Sequence, residues 1–416
     1  MKTIISLVSG LLLLALSTTG LAGPGSGPPG LNAQALQELR DVGLDKYLGQ
    51  FSPAASAPVG QGWFQHIFDP GADQGPICIA GTPYSVYTKV QNPKKLLIMM
   101  QGGGACWQDF YFCNVLAETQ AAPPLPGSTG IWIDSFDTGS EVIPNPIGDW
   151  SIVYMPYCDG SVFAGDNAVV DLAFQAAIEA GFGLPPGTGP LIRFHRGLRN
   201  ATAGIDIARE LFPKARRIML AGSSAGGVGA ASLTPFLVRM AFGNKPKLTV
   251  FNDAGPVAIN LFDVDAMLAR ASDWQFGQFY PASCTDCDAA TGQGTAIIKW
   301  RLDNDSTIRE SFYSTDGDST NRFFLTVPTQ ELYRGLILTE HGALNAAHPD
   351  RYKRFIRSGD DSHTALQTPL LYIGTANGVP LHEWVEDFLV PGHRVNDDGD
   401  DDSVWVDIVE DFVALP

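Results

Sequence analysis

Short apolar runs and longer stretches of helical spacing alternate along this chain. Tyr84 to Val90 and Lys95 to Met100 read as strands, the second the more deeply buried, and Ser151 to Tyr157, Ile218 to Ala221, Leu248 to Asn252, Ala296 to Leu302 and Tyr352 to Ile356 continue the series. Between them, Leu198 to Phe212 carries helical spacing through Ile205, Ala208 and Leu211; Val228 to Phe242 and Thr329 to Ala346 do likewise, and a helix is expected to start at Ser306. Upstream, Asn32 to Leu48 predicts an amphipathic helix with Leu36, Leu39, Leu44 and Leu48 on its buried face. Phe51 to Gly62 and the proline-rich Ala121 to Gly130 read as loops. Strand and helix patterns in alternation predict an α/β fold with a mostly parallel sheet covered on both faces. No internal repeat is visible.

Composition agrees with a large core: 416 residues, 45% of them hydrophobic. The N-terminus has a charged start at Lys2, an apolar run from Ile4 to Leu16 and small residues up to Ala22, which is the layout of a secretory signal peptide over residues 1–22. Its uninterrupted apolar part is too short to span a bilayer, and no second long apolar run follows, so no membrane span is expected after cleavage. The expected mature chain, 23–416, is one domain with a flexible start over 23–31. Loss of the leader removes Lys2 and no acid, so the formal charge of −17 becomes −18. That charge argues against a nucleic-acid partner, and against a strongly anionic polymer unless a local basic groove overrules the sum. Six cysteines in an exported chain imply three disulfides, from fifteen possible pairings.

Chemistry concentrates where the run Arg217 to Ala221 ends in Gly222-Ser223-Ser224-Ala225-Gly226. This fits G-x-S-x-G, in which a strand turns sharply into a helix and presents one hydroxyl on a strained elbow, so Ser224 is the candidate nucleophile. Attack on an ester creates a negative oxygen that needs preorganised N–H donors. Ala225, after the nucleophile, and the glycine cluster Gly102-Gly103-Gly104, after a buried strand, are the candidates.

Seven histidines offer a base, at positions 66, 195, 341, 348, 363, 382 and 393. The chain order serine, acid, histidine sets aside His66 and His195. His341 lies inside a helical pattern and is expected to be partly exposed, whereas His363 sits in the polar loop Arg357 to Leu366 after a strand, where a catalytic histidine must be presented. His382 and His393 remain open. For the acid, Asp305 follows the run Ala296 to Leu302 and leads; Asp253, at the end of the strand after the elbow helix, is second.

Several separated motifs then converge: Gly102-Gly-Gly-Ala-Cys-Trp107, Tyr157-Cys-Asp-Gly160 with Gly165-Asp166, Gly222-Ser-Ser-Ala-Gly-Gly227, and Ser358-Gly-Asp-Asp-Ser-His363-Thr. Together they resemble the pectin acetylesterase family, which includes the Notum-type carboxylesterases. The resemblance runs from about Cys78 to His363. It implies an α/β-hydrolase fold and ester hydrolysis without a cofactor, with Ser224 as nucleophile, His363 as base, Asp305 as acid and Gly103, Gly104 and Ala225 as the oxyanion hole. It also implies the disulfides Cys78–Cys158, Cys106–Cys113 and Cys284–Cys287. Gly104 stands where Notum-type enzymes carry an aromatic residue, a departure that argues against a lipid-accepting pocket like theirs.

Three features stay outside that frame. Cys284-Thr-Asp-Cys287 has the spacing of a metal or redox site but lacks two further ligands. Asn396 to Asp402 holds five aspartates, either a solvated acidic loop or a calcium site. Trp107 either lines the substrate cleft or belongs to the core. The expected function is that of a secreted serine carboxylesterase removing short acyl groups, with a carbohydrate leaving group as the default. The alternatives are an exported binding protein on a hydrolase scaffold and a triad hydrolase acting on a polyester or a peptide.

Overall fold

The computed structural model describes residues 29–71, 74–116, 129–390 and 403–415. The signal peptide, His393 and the acidic stretch Asn396 to Asp402 lie outside the described residues. Ten strands form one sheet: β1 (Ala55–Gly60), β2 (Trp63–Phe68), β3 (Tyr84–Lys89), β4 (Asn92–Met100), β5 (Trp150–Met155), β6 (Arg217–Ser223), β7 (Lys247–Asp253), β8 (Arg309–Thr315), β9 (Tyr352–Arg357) and β10 (Ile408–Val409). Their spatial order is β1-β2-β3-β5-β4-β6-β7-β8-β9-β10. The first three run antiparallel and β5 onward is parallel, so every strand from β4 to β9 points its C-terminal end at one edge.

Alternation along the central strands explains why both faces are covered. In β4, Leu96, Ile98 and Met100 enter one core while Leu97 and Met99 enter the other; in β6, Ile218 and Leu220 are divided from Met219 and Ala221 in the same way. A run that is apolar at every position can be buried only by layers on both sides. One layer includes the helices Gly197–Leu211, Ala225–Ala231 and Thr234–Phe242, the other the helix Leu381–Leu389 with Trp384 and Phe388.

Four elements differ from expectation. The amphipathic helix stops early, at Asp41, because Gly43 turns the chain at φ +71°. Phe51 to Gly62 contains the edge strand β1. Val228 to Phe242 divides at Ser232, with Pro235 in the first turn of the second helix, which bends the pair by 49°. The apolar run Ala296 to Leu302 lies in a helix, Thr295–Asn304, and the segment expected to begin a helix at Ser306 leads into β8. Ile297, Ile298 and Leu302 are buried on that helix's inner face, so a short apolar run was filled by the wrong period. Among the described residues, no single helix is long and apolar enough to cross a membrane.

Candidate active site

At the C-terminal edge of the sheet, β6 runs into the elbow. Ser224 holds φ 57° and ψ −123°, and its amide donates to the Asp253 carbonyl at 2.8 Å. A side chain at Gly222 would run into the Gly226 carbonyl, and one at Gly226 into that of Met100, so both flanking glycines are steric requirements of the turn. Gly102 packs against the same turn: a Cβ there would lie 2.7 Å from the Ser223 carbonyl oxygen and 2.8 Å from the Ser224 Cβ. Gly104, at φ +79°, opens the hairpin Gly104–Trp107/Phe110–Cys113, and any side chain on it would collide with the Phe112 carbonyl. This same collision explains why no aromatic residue occupies position 104.

His363 reaches the elbow from the loop after β9. Its Nδ1 lies 2.7 Å from Oδ2 of Asp318, and its Nε2 has no hydrogen-bond partner among the described residues. Asp318 is fully buried; burial pushes its carboxyl up, while its bond to His363 and the Asn321 amide act the other way. Asn321 N and Nδ2 donate to its two oxygens at 2.8 and 2.7 Å, which fixes the carboxylate as the cap of helix Ser319–Phe324.

Asp305 is not part of this cluster. Its carboxylate sits 2.6 Å from Nε of Arg239, buried, and also accepts the amides of Thr307 and Ile308. The helix in place of the expected strand accounts for the correction: Asp305 caps the C-terminus of that helix and so lies before β8, at the far edge of the sheet. Two carboxylates follow β8: Asp316, which pairs with Arg334, and Asp318, which meets His363. The signal of Asp318 in the sequence is Asp316-Gly317-Asp318-Ser319 directly after the strand that ends at Ser314-Thr315, a turn and N-cap pattern at a strand end. The rival Asp253 lies at the correct edge but accepts from Ser223 Oγ at 2.6 Å and from the amides of Ala365 and Leu366 at 2.9 and 3.0 Å. It ties the residue before the nucleophile to the loop that carries His363.

Four of the remaining described histidines are held elsewhere, and the fifth, His382, lies beside Glu383 on the helix Leu381–Leu389. His341 is fully buried rather than partly exposed: it stacks on Phe312 at 3.7 Å, contacts the Tyr352 hydroxyl and the Pro256 carbonyl, and burial pulls its pKa down to about 3. Its helix faces the sheet at that position, which spacing alone does not reveal. His195, also pulled down to about 3 by burial with Arg193 beside it, belongs to a buried network of Arg193, Asp171 and Asp273. His348 pairs with Asp303, and His66 lies between Ser56 and Thr88.

Ser224 stands between two cavities. An open cleft of about 710 Å³ is lined by Gly102, Gly103, Gly104, Ser224, His363 and Gln367 among others. On the other side, a mainly apolar chamber of about 140 Å³ is lined by Ser224, Ala225, Trp107, Val257, Ile297 and Phe324 with their neighbours. Trp107 is therefore both buried, stacked on Phe110 at 4.0 Å, and part of the chamber wall. The disulfides are Cys78–Cys158, Cys106–Cys113 and Cys284–Cys287, and the second braces the hairpin of Gly104. Asp166 of the Gly165-Asp166 motif takes Lys46, Arg196 and Arg199, a structural knot away from Ser224. A basic groove does exist, with Arg209, Lys214, Arg216, Arg217, Lys245 and Lys247 on its walls, but it lies at the N-terminal edge of the sheet and does not face the cleft.

A serine elbow, a glycine hairpin and a histidine backed by a buried carboxylate, all at the C-terminal edge of a mostly parallel sheet, define the class: a carboxylic ester hydrolase with an α/β-hydrolase-like fold. More narrowly, the chain is a relative of the pectinacetylesterases, since the model of the family described as Pectinacetylesterase matches residues 65–270, about half of the chain. That span takes in the glycine hairpin and the elbow and ends before Asp318 and His363. Among solved structures, the Wnt deacylase Notum from Drosophila is similar, at a TM-score of 0.53 and 17% identity over 75% of this chain and 89% of its own. The likeness is one of fold. No curated protein sequence matches the chain.

Proposed function

We propose that this protein is an exported serine carboxylesterase that removes a short acyl group from a carbohydrate. Ser224 is the nucleophile, His363 the base and Asp318 the carboxylate that fixes the imidazole; Gly103, Gly104 and Ala225 supply the oxyanion amides. The observation that carries this reading is His363 itself, with Nδ1 on a buried carboxylate and Nε2 unpartnered in the cleft that Ser224 lines. With Nδ1 holding its proton toward Asp318, Nε2 is the acceptor. As Ser224 Oγ bonds to the ester carbon, its proton passes to Nε2, and the negative oxygen turns toward the glycine amides. The carbon–alkoxy bond breaks, the alcohol leaves with the proton from Nε2, and water then cleaves the acyl-enzyme by the same route.

The two cavities divide the substrate. The open cleft, at about 710 Å³, has room for a sugar leaving group, whereas the chamber takes the acyl side. At about 140 Å³ it compares with a cavity that holds benzene, so it admits several atoms beyond the methyl of an acetyl group. Export is supported by the leader pattern of residues 1–22 and by six cysteines all paired. The test is hydrolysis of ethyl and p-nitrophenyl esters of increasing acyl length, beside acetylated polysaccharides, by the protein and by Ser224→Ala. Wild type is expected to turn over the short esters and to react with a fluorophosphonate at Ser224. The variant should lose both properties and keep its melting temperature; retained turnover in Ser224→Ala refutes the assignment, and a wild type inert to the probe points to a binding protein.

A further inference from the structure

The acyl-side chamber holds a charge that hydrolysis itself does not use. Arg270, on the helix Val264–Trp274, lines the chamber together with Ser224. Its Nε donates to the Ala266 carbonyl at 3.0 Å, and its guanidinium lies 5.2 Å from the centre of the Trp107 ring. Neither terminal nitrogen has a hydrogen-bond partner among the described residues, and Arg270 makes no salt bridge there. The charge that acts on it, Asp263, is engaged otherwise: it accepts the Ala266 amide at 3.1 Å and the Thr326 hydroxyl at 2.6 Å.

Other polar groups on the wall are taken. Ser232 Oγ donates to the Gly229 carbonyl, and the Asn321 amide group serves Ala254 and Asp318. Tyr280 adds a neutral phenol. Arg270 is thus the cation on an otherwise mainly apolar chamber wall. Burial pulls its pKa down to about 10, which leaves it charged at neutral pH. Arg270 is half-buried, with its guanidinium beside the face of Trp107 and its terminal N–H groups open to the chamber. Two free, coplanar N–H groups match a carboxylate in geometry as well as in sign.

We propose that the chamber selects acyl groups ending in a second carboxylate, as in a hemi-ester of a four- or five-carbon dicarboxylic acid, with Arg270 holding the far carboxylate while the ester carbon meets Ser224. This rests on the esterase reading above. A four-carbon diacid chain fills a space of benzene size, as the chamber volume requires. The reaction is hydrolysis: the acyl carbon–oxygen bond breaks, the alcohol leaves, and water supplies the hydroxyl of the new carboxylic acid, which then loses its proton to solvent.

Monoethyl succinate and ethyl pentanoate, of nearly equal bulk, test the proposal by pH-stat kinetics with wild type and Arg270→Met. Wild type should favour the succinate by at least tenfold in kcat/KM, and Arg270→Met should lower that ratio by about 10- to 100-fold, the range expected for loss of a charge-assisted pair. Arg270→Lys should restore part of the preference. Fluorophosphonate labelling of each variant reports an intact Ser224 site independently of the acyl group. A wild type that favours the pentanoate, or a ratio unmoved by Arg270→Met in a variant that still labels, overturns the proposal while leaving the esterase standing. Absence of both turnover and labelling in wild type overturns the esterase reading, and this proposal with it.

Discussion

Replacing each of two buried aspartates by asparagine should separate catalysis from stability in this protein. Asp318 lies 2.7 Å from His363 Nδ1, and Asp305 lies 2.6 Å from Arg239 Nε, with side chains only 1% and 2% exposed in the second pair. In Asp318→Asn the amide no longer holds the imidazole in the tautomer that leaves Nε2 free. A change of that kind costs about 10⁴ in kcat, or ~5 kcal/mol of transition-state stabilisation. Its neighbours Asn321 and His363 can still bond an amide, so the fold should survive. In Asp305→Asn, by contrast, the Arg239 guanidinium loses its partner inside the core, at a cost of about 3–5 kcal/mol in stability. For a chain of this size the unfolding entropy is on the order of 0.8 kcal/mol/K, so the melting temperature should fall by roughly 4–6 °C. Activity at 25 °C should stay near wild type because Asp305 is at the other edge of the sheet. Steady-state kinetics on p-nitrophenyl acetate with thermal unfolding of the same samples gives both readings. The reasoning fails if Asp318→Asn keeps more than about a tenth of kcat. It fails equally if Asp305→Asn is thermally unchanged but inactive.

Two further outcomes follow from the loops around the site. Gly104→Ala places a methyl group against the Phe112 carbonyl and 3.0 Å from Phe324 Cζ, which should displace the oxyanion amides and cost about 10²- to 10³-fold in kcat; near-normal turnover would remove the hairpin from the mechanism. Asp159 of the Cys158-Asp-Gly160 motif is fully buried, and burial pushes its pKa up to about 6 although Ser161 and Phe163 donate to it. A carboxyl raised on folding binds more protons folded than unfolded, so its contribution to stability is full below its ordinary pKa and falls as pH climbs to about 6. Thermal melts across that window should therefore slope downward less in Asp159→Asn than in wild type, and equal slopes would refute the assignment.

The elbow, the glycine hairpin and His363 were legible in the sequence because each is a local motif: the turn chemistry of a few adjacent residues decides its shape. The central strands were legible too, since the unbroken apolar runs Leu96 to Met100 in β4 and Ile218 to Ala221 in β6 leave no other way to bury them. The three cysteine pairings implied by family likeness are those the structure holds. Tertiary structure decided the rest, for a common reason. Whether Ala296 to Leu302 is strand or helix depends on what packs against it, and seven apolar-rich residues carry no period long enough to say. That one choice moved the predicted acid to the wrong edge of the sheet and hid Asp318. Likewise, which face His341 turns inward, and that Arg270 comes to stand on Trp107 in the chamber of Ser224, are properties of distant segments brought together by the sheet. Sequence alone determined the serine elbow, the glycine hairpin and the loop of His363; only the fold determined which carboxylate meets His363 and what lines the chamber beside Ser224.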